Sequence, residues 1–261
     1  MTDRLAPGEP VADILKRLQN PLYLPTVDEV SRAFTFSRGP QWAITDFYEF
    51  LYDRYNAEVF EYPTKEYIEG LGMYLEERIH EMGKDKVKIL GVASGAGRIE
   101  HFLQEELDHR MPGVCEVIAT DTYQGLSQAQ RDRLQLGTTV VRMDYQDALA
   151  RYQPDIVIGS WIPSRDTYRK PEDWSVAFRR TRSVQEYILI GDPNGRYATE
   201  TTFGYMRDSA FNTRRDQFPQ YAQDGFVKKE LKFLRPFQFS FQDGIYPMHS
   251  SRTFAFSKIT K

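Results

Sequence analysis

Residues 89–103 read ILGVASGAGRIEHFL. An apolar run ends in a turn of small residues, and a helical pattern follows. Glycine and alanine in such a turn let backbone approach a ligand closely, and the next helix presents free N–H groups. A strand–turn–helix of this kind suits a nucleotide. VKIL (87–90) is the strand and RIEHFLQEEL (98–107) the helix.

The same alternation continues along the chain. CEVIATD (115–121) reads as a second strand, followed by a helical stretch through Leu134. TTVVRMD (138–144) is a third strand and PDIVIGS (154–160) a fourth. Pro171, Glu172 and Asp173 open a helix through about Arg182, and EYILIGD (186–192) is a fifth strand. Short apolar strands alternating with helices imply a parallel sheet covered on both faces. The end of the chain differs. FVKKELKFL (226–234) and RTFAFSKI (252–259) alternate like half-buried strands, with Phe254 and Phe256 on one face and no helix pattern between them. Without a crossover helix, two such strands are antiparallel if they pair. The expected fold is α/β: a doubly wound, mostly parallel seven-stranded sheet with an antiparallel C-terminal strand pair and an N-terminal helical extension.

That extension carries proline breaks at Pro10, Pro21, Pro25 and Pro40. VADILKRL (11–18) and DEVSRAFTF (28–36) are short helix candidates, and QWAITDFYEFLYDRYNAEV (41–59) is a longer one. A strong helix starts after Thr64, which can cap it. Tyr67, Leu71, Leu75, Ile79 and Met82 form its apolar stripe, and Gly83 is a plausible stop. The chain therefore divides into 1–63, a helical lid or substrate-binding extension, and 64–261, the nucleotide-binding domain.

Composition narrows the function. A net charge of -3 gives no global field favouring nucleic acid or an anionic membrane. RRTR (179–182) is locally basic and reads as a solvated helix face. No apolar stretch approaches the roughly 18 residues of a spanning helix, and the N-terminus has no signal pattern. Cys115 is the single cysteine, which excludes a disulfide within the chain and fits a reducing, cytoplasmic setting. It reads as a small buried thiol. His80, His101, His109 and His249 have no metal-ligand spacing, so no metal is expected. Many of the aromatics, 14% of the chain, crowd the N-terminal segment, where they can fill a core or line a pocket for a flat or apolar ligand.

Two nucleotide families compete for the turn. In the dinucleotide fingerprint G-x-G-x-x-G/A, Gly91 to Ala96 puts Ala93 at the crowded second place, and the shifted register needs a small residue where Glu100 stands. The stretch Gly91-Val92-Ala93-Ser94-Gly95-Ala96-Gly97 instead resembles the first motif of the Rossmann-like (class I) SAM-dependent methyltransferases, an acid-x-G-x-G-x-G turn. The last two glycines match, Ala93 substitutes for the first, and Gly91 replaces the acid. Further residues match in order over about 64–261. Asp121, followed by Thr122, ends strand two as the family's ribose-binding acid does. Asp144 and Tyr145 stand where the family places an acid facing the adenine amino group and a neighbour covering the ring. Ser160 and Trp161, in IGSWIP, end strand four beside the methyl donor. The antiparallel ending is also similar to this family, whose last strand inserts between its neighbours.

The resemblance implies S-adenosyl-L-methionine as cofactor, held by Gly91, Ala93, Ser94, Gly95, Gly97, Asp121, Thr122, Asp144, Tyr145, Ser160 and Trp161. With no acid at Gly91, backbone near Gly91, Ala93 and Gly95 is expected to hold the amino-acid end, and cofactor affinity to be modest unless a water or another side chain compensates. Each site residue also has a structural reading: Asp121 as a strand-ending turn residue, Asp144 as a helix cap, Trp161 as core, Ser160 as turn. His249 and Asp166 are the candidate bases. SWIP departs from the N/D-P-P-Y/F motif of amino-directed nucleic-acid methyltransferases, so the expected reaction is O- or N-methylation of a small organic molecule, with no nucleic-acid or membrane partner. A homodimer is compatible with this reading. The alternatives are a repurposed or inactive SAM-fold protein, acting as a SAM-independent catalyst or a partner subunit, and, more weakly, an NAD-dependent oxidoreductase.

Overall fold

The structure, a computed structural model, describes residues 9–34, 47, 49–51, 60–124, 126–134, 137–162, 173–193, 200–209, 212–215, 218–240 and 251–259. It begins with two short helices, α1 (Val11–Leu18) and α2 (Val27–Ala33). A reciprocal cap starts α2: Thr26 Oγ1 accepts from Glu29 N at 3.2 Å, and the Glu29 carboxylate accepts from Thr26 N at 2.9 Å. Of the longer helix expected over 41–59, only residues 47 and 49–51 are described, and they are helical. β1 (Glu61–Tyr62) leads into α3 (Lys65–Met82). Thr64 Oγ1 accepts from Tyr67 N at 3.3 Å, and Gly83, at φ 63°, closes α3 in the left-handed region.

The sheet follows. Its elements in chain order are β2 (Val87–Val92), α4 (Arg98–Arg110), β3 (Cys115–Asp121), α5 (Gln128–Leu134), β4 (Val141–Arg142), α6 (Tyr145–Tyr152), β5 (Ile156–Ser160), α7 (Trp174–Arg180) and β6 (Glu186–Gly191). Then come β7 (Tyr205–Ser209), β8 (Asn212–Arg215), α8 (Gln220–Gln223), β9 (Phe226–Glu230), β10 (Phe239–Ser240) and β11 (Arg252–Lys258). Among the described residues, seven strands form one sheet in the order β4-β3-β2-β5-β6-β11-β9. Pairing is parallel from β4 through β6. β11 runs antiparallel to both its neighbours, β6 and β9. Two small pairs, β1 with β10 and β7 with β8, lie outside the main sheet.

The period of two along each strand builds a core on both faces. Ile89, Ile156, Ile158, Ile188 and Ile190 pack with α3 and α4. Their neighbours Leu90, Val157 and Leu189 pack with Leu149 of α6 and Phe178 of α7. A third cluster lies at the carboxyl ends of the strands. There Ile14, Leu18, Val30 and Tyr62 meet Ala96, Ala119, Tyr123 and Leu134.

The structure corrects four local expectations. The third strand is reduced to Val141–Arg142. FVKKELKFL is a strand only to Glu230, because a 3-10 turn, Lys232–Phe237, with Pro236 inside it, follows. RTFAFSKI is buried on both faces, because it is an interior strand flanked by β6 and β9, with small Thr253 and Ala255 opposite Phe254 and Phe256. Arg179 of the basic run is buried rather than solvated: it pairs with Asp224 at 2.7 Å and donates to Ser175 Oγ at 2.7 Å.

Candidate functional site

Strand order reverses between β2 and β5: β3 and β4 lie to one side of β2, β5 and β6 to the other. In an open parallel sheet that reversal leaves a crevice beyond the carboxyl ends of the two strands. A cavity of about 70 Å³ occupies it. The turn after β2 forms one wall through Ala93, Ser94, Gly95 and Ala96, and the end of β5 forms another through Ser160 and Trp161. The first turn of α4 contributes Arg98, Ile99 and Glu100, and the N-terminal segment contributes Phe60 and Glu61.

The glycine turn is held by its own backbone and by Asp121. Ser94 N donates to Thr120 O at 3.1 Å, and Gly97 N donates to Ser94 O at 2.8 Å. Gly95 and Gly97, at φ 53° and 66°, are left-handed, and so is Ala93 at 54°. At Gly97 glycine is also required by space, since a Cβ there would stand 2.5 Å from Val140 Cγ2. Asp121 Oδ2 accepts from Gly95 N at 2.9 Å, and Oδ1 accepts from Tyr123 N at 2.7 Å. Burial raises the Asp121 pKa, offset in part by these backbone donors. Thr122 Oγ1 accepts from Gln124 N at 3.4 Å.

The other expected site residues are placed as follows. Gly91 lies in β2 between Ala119 and Ile158, and its carbonyl accepts from Thr120 Oγ1 at 2.7 Å. It does not line the cavity. A Cβ on Gly91 would stand 2.6 Å from Glu100 Cγ and 2.7 Å from its Cδ, and closer still to Oε1. Asp144 lies just past β4 and caps α6, its Oδ1 accepting from Gln146 N at 3.0 Å. Tyr145 is a core residue outside the cavity wall: it is buried, and Trp174 stacks on its ring at 4.2 Å. Trp161, buried and left-handed at φ 50°, donates from Nε1 to Glu61 Oε2 at 2.8 Å. Phe60 stacks on its ring, with centroids 5.9 Å apart. Asp166 and His249 lie outside the described residues.

Two carboxylates that sequence reasoning did not select stand at the cavity. Glu61 accepts from Trp161 Nε1, from Ser251 Oγ at 2.7 Å and from Gln238 Nε2 at 3.2 Å. Glu100 is 3% exposed and accepts from Ser94 Oγ at 2.8 Å, while its Oε2 has no partner. Burial pushes the Glu100 carboxyl up to about 7; the Ser94 hydrogen bond opposes this and the nearby Asp121 adds to it. The missing acid at Gly91, together with an acid in the first turn of the next helix, was a legible sign of Glu100. Glu61 had none, because its place depends on the non-local pairing of β1 with β10.

The deciding feature of the fold is the last strand. β11 is inserted, antiparallel, between β6 and β9, and a glycine turn stands at the switch point between β2 and β5. This is the class I SAM-dependent methyltransferase fold. No family model matches the sequence, and no curated protein does. Solved structures similar to the chain include the precorrin-6y C5,15-methyltransferase from Geobacter metallireducens GS-15, at 13% identity and TM-score 0.38, covering 68% of this chain and 82% of that one. The CcbJ methyltransferase from Streptomyces caelestis is similar at 12% identity and TM-score 0.40, over 74% and 90% of the two chains. The plantazolicin methyltransferase BpumL, solved in complex with SAH, is similar at 11% identity and TM-score 0.37, over 74% and 82%. Strand order, rather than these likenesses, carries the assignment of the methyltransferase fold.

Proposed function

We propose that the chain is a SAM-dependent methyltransferase that methylates a small organic molecule at oxygen or nitrogen. The observation that carries this reading is the cavity at the switch point, walled by the glycine turn after β2 and by Ser160 and Trp161 after β5. SAM, when bound, supplies an electrophilic methyl group on a sulfonium. The residues present fit a cationic ligand of that kind: the small residues of the turn admit it, and the lining includes Glu100, whose buried Oε2 has no partner. Asp121 stands at the end of β3, next to the turn, with lone pairs left for a ribose diol beside its backbone donors Gly95, Tyr123 and Thr122. Trp161 and Phe60 form an apolar wall that excludes water and orients an acceptor.

The cavity is smaller than the roughly 300–1,000 Å³ of ordinary ligand pockets. Helices α1 and α2 pack on the same strand ends, and in this reading they belong to a lid over the nucleoside. The aromatic lining and the net charge of -3 favour an organic acceptor over a nucleic acid. Asp166 and His249 remain the candidate bases for an acceptor hydroxyl. Incubation with SAM and a panel of metabolite acceptors tests the reading. It expects S-adenosylhomocysteine to form with at least one acceptor; none with any acceptor contradicts it.

A further inference from the structure

Gly91 and Glu100 exclude one another in space. A Cβ at Gly91 would lie 2.6 Å from Glu100 Cγ, so the carboxylate fills the volume into which a side chain at the end of β2 would project. Glu100 lines the cavity and is nearly dry; its carboxylate accepts from Ser94 Oγ and from its own backbone N–H, and its buried Oε2 has no partner. A reciprocal capping box with the residue that precedes α4 does not account for it. The N–H that a capping acid at the third helical position would take, that of Gly97, donates to Ser94 O instead.

We propose that Glu100 has taken over, from the first turn of α4, the place of the acid absent at Gly91, and that its free oxygen receives the α-ammonium of S-adenosylmethionine. The inference rests on the methyltransferase reading and deepens it by naming the residue that recognises the amino end. The charged groups around Glu100 are Asp121 on β3, Glu61 on β1 and Arg98 on α4 itself. Arg98 is engaged elsewhere: its guanidinium lies 4.6 Å over the Tyr62 ring and donates to Tyr23 O at 2.9 Å. A carboxylate kept partly protonated by burial becomes fully ionised when an ammonium enters beside it, so ligand uptake releases a proton.

The test is calorimetric titration of the full chain with two ligands. S-adenosylhomocysteine carries the ammonium; 5′-methylthioadenosine has the same nucleoside and a thioether without it. Glu100→Gln is expected to weaken S-adenosylhomocysteine roughly 10- to 100-fold, the loss of one charge-assisted hydrogen bond, and to leave methylthioadenosine unchanged. With the wild-type protein, affinity for S-adenosylhomocysteine should rise as pH rises through about 7, and affinity for methylthioadenosine should not. Gly91→Asp combined with Glu100→Ala should recover S-adenosylhomocysteine binding relative to Glu100→Ala alone. Equal effects on both ligands, or no effect on either, overturn the inference. The wild-type pH series decides it even if a variant does not fold. Failure of the wild type to bind either ligand refutes the methyltransferase reading, and this inference with it.

Discussion

Glu61 and Glu100 line the same cavity, and both are almost fully buried, at 7% and 3% exposure. Glu61 is surrounded by donors from Trp161, Ser251 and Gln238. Glu100 has Ser94 and its own backbone N–H, and an orphaned oxygen. Burying a carboxylate costs stability unless hydrogen bonds replace its water. Glu61 meets that requirement and ties the N-terminal segment to the turn after β5. Glu100 does not, and an incompletely solvated acid at the switch point is what a site awaiting a cation looks like. The difference separates a carboxylate that holds the wall together from one kept for a ligand.

The largest expected effect that tests this contrast is a pH effect on stability. The Glu100 pKa rises from 4.5 to about 7 on folding. Between those values the folded chain binds more protons at this site than the unfolded chain. Stability from this group is therefore fully present below about pH 4.5, falls as pH rises, and is lost above about pH 7, a change of about 3 kcal/mol. Urea unfolding of wild type and Glu100→Gln across pH 4.5–8 should show the difference between them growing in the variant's favour by about that amount. A constant difference would contradict the raised pKa. Next in size, Glu61→Ala should destabilise the chain by about 2 kcal/mol, because it leaves the buried Trp161 Nε1 without this acceptor. The two variants thus move stability in opposite directions, and a destabilised Glu100→Gln at pH 8 would erase the contrast. The smallest effect is expected at Ala93, an alanine held at φ 54°. Ala93→Gly should raise unfolding free energy by about 1 kcal/mol by relieving left-handed strain.

The parts of the fold that the sequence disclosed are those set by local periodicity. Glu186–Gly191 is an apolar run buried on both faces, and α3 carries its cap, its stripe and its stop within its own residues. The antiparallel ending was legible from the absence of a crossover helix. What sequence left hidden depends on packing between distant segments. RRTR looks solvated, yet Asp224, far along the chain, draws Arg179 inward. Tyr145 follows an acid at the end of a strand, and the stacking of Trp174 on its ring could not be read from that spacing. At the site, the turn from Ala93 to Gly97 and Asp121 could be read from residue types. Glu100 entered the sequence reading as an obstacle to a dinucleotide fingerprint, although the missing acid at Gly91 and its own place in the first turn of the next helix already marked it. Its role depends on the space vacated at Gly91, which strand and helix geometry together create.

The full chain, titrated calorimetrically at pH 8 with S-adenosylhomocysteine and separately with NAD, is expected to bind one equivalent of S-adenosylhomocysteine and no NAD. Absence of heat with S-adenosylhomocysteine, or saturable binding of NAD instead, would contradict the assignment of the switch-point cavity to SAM.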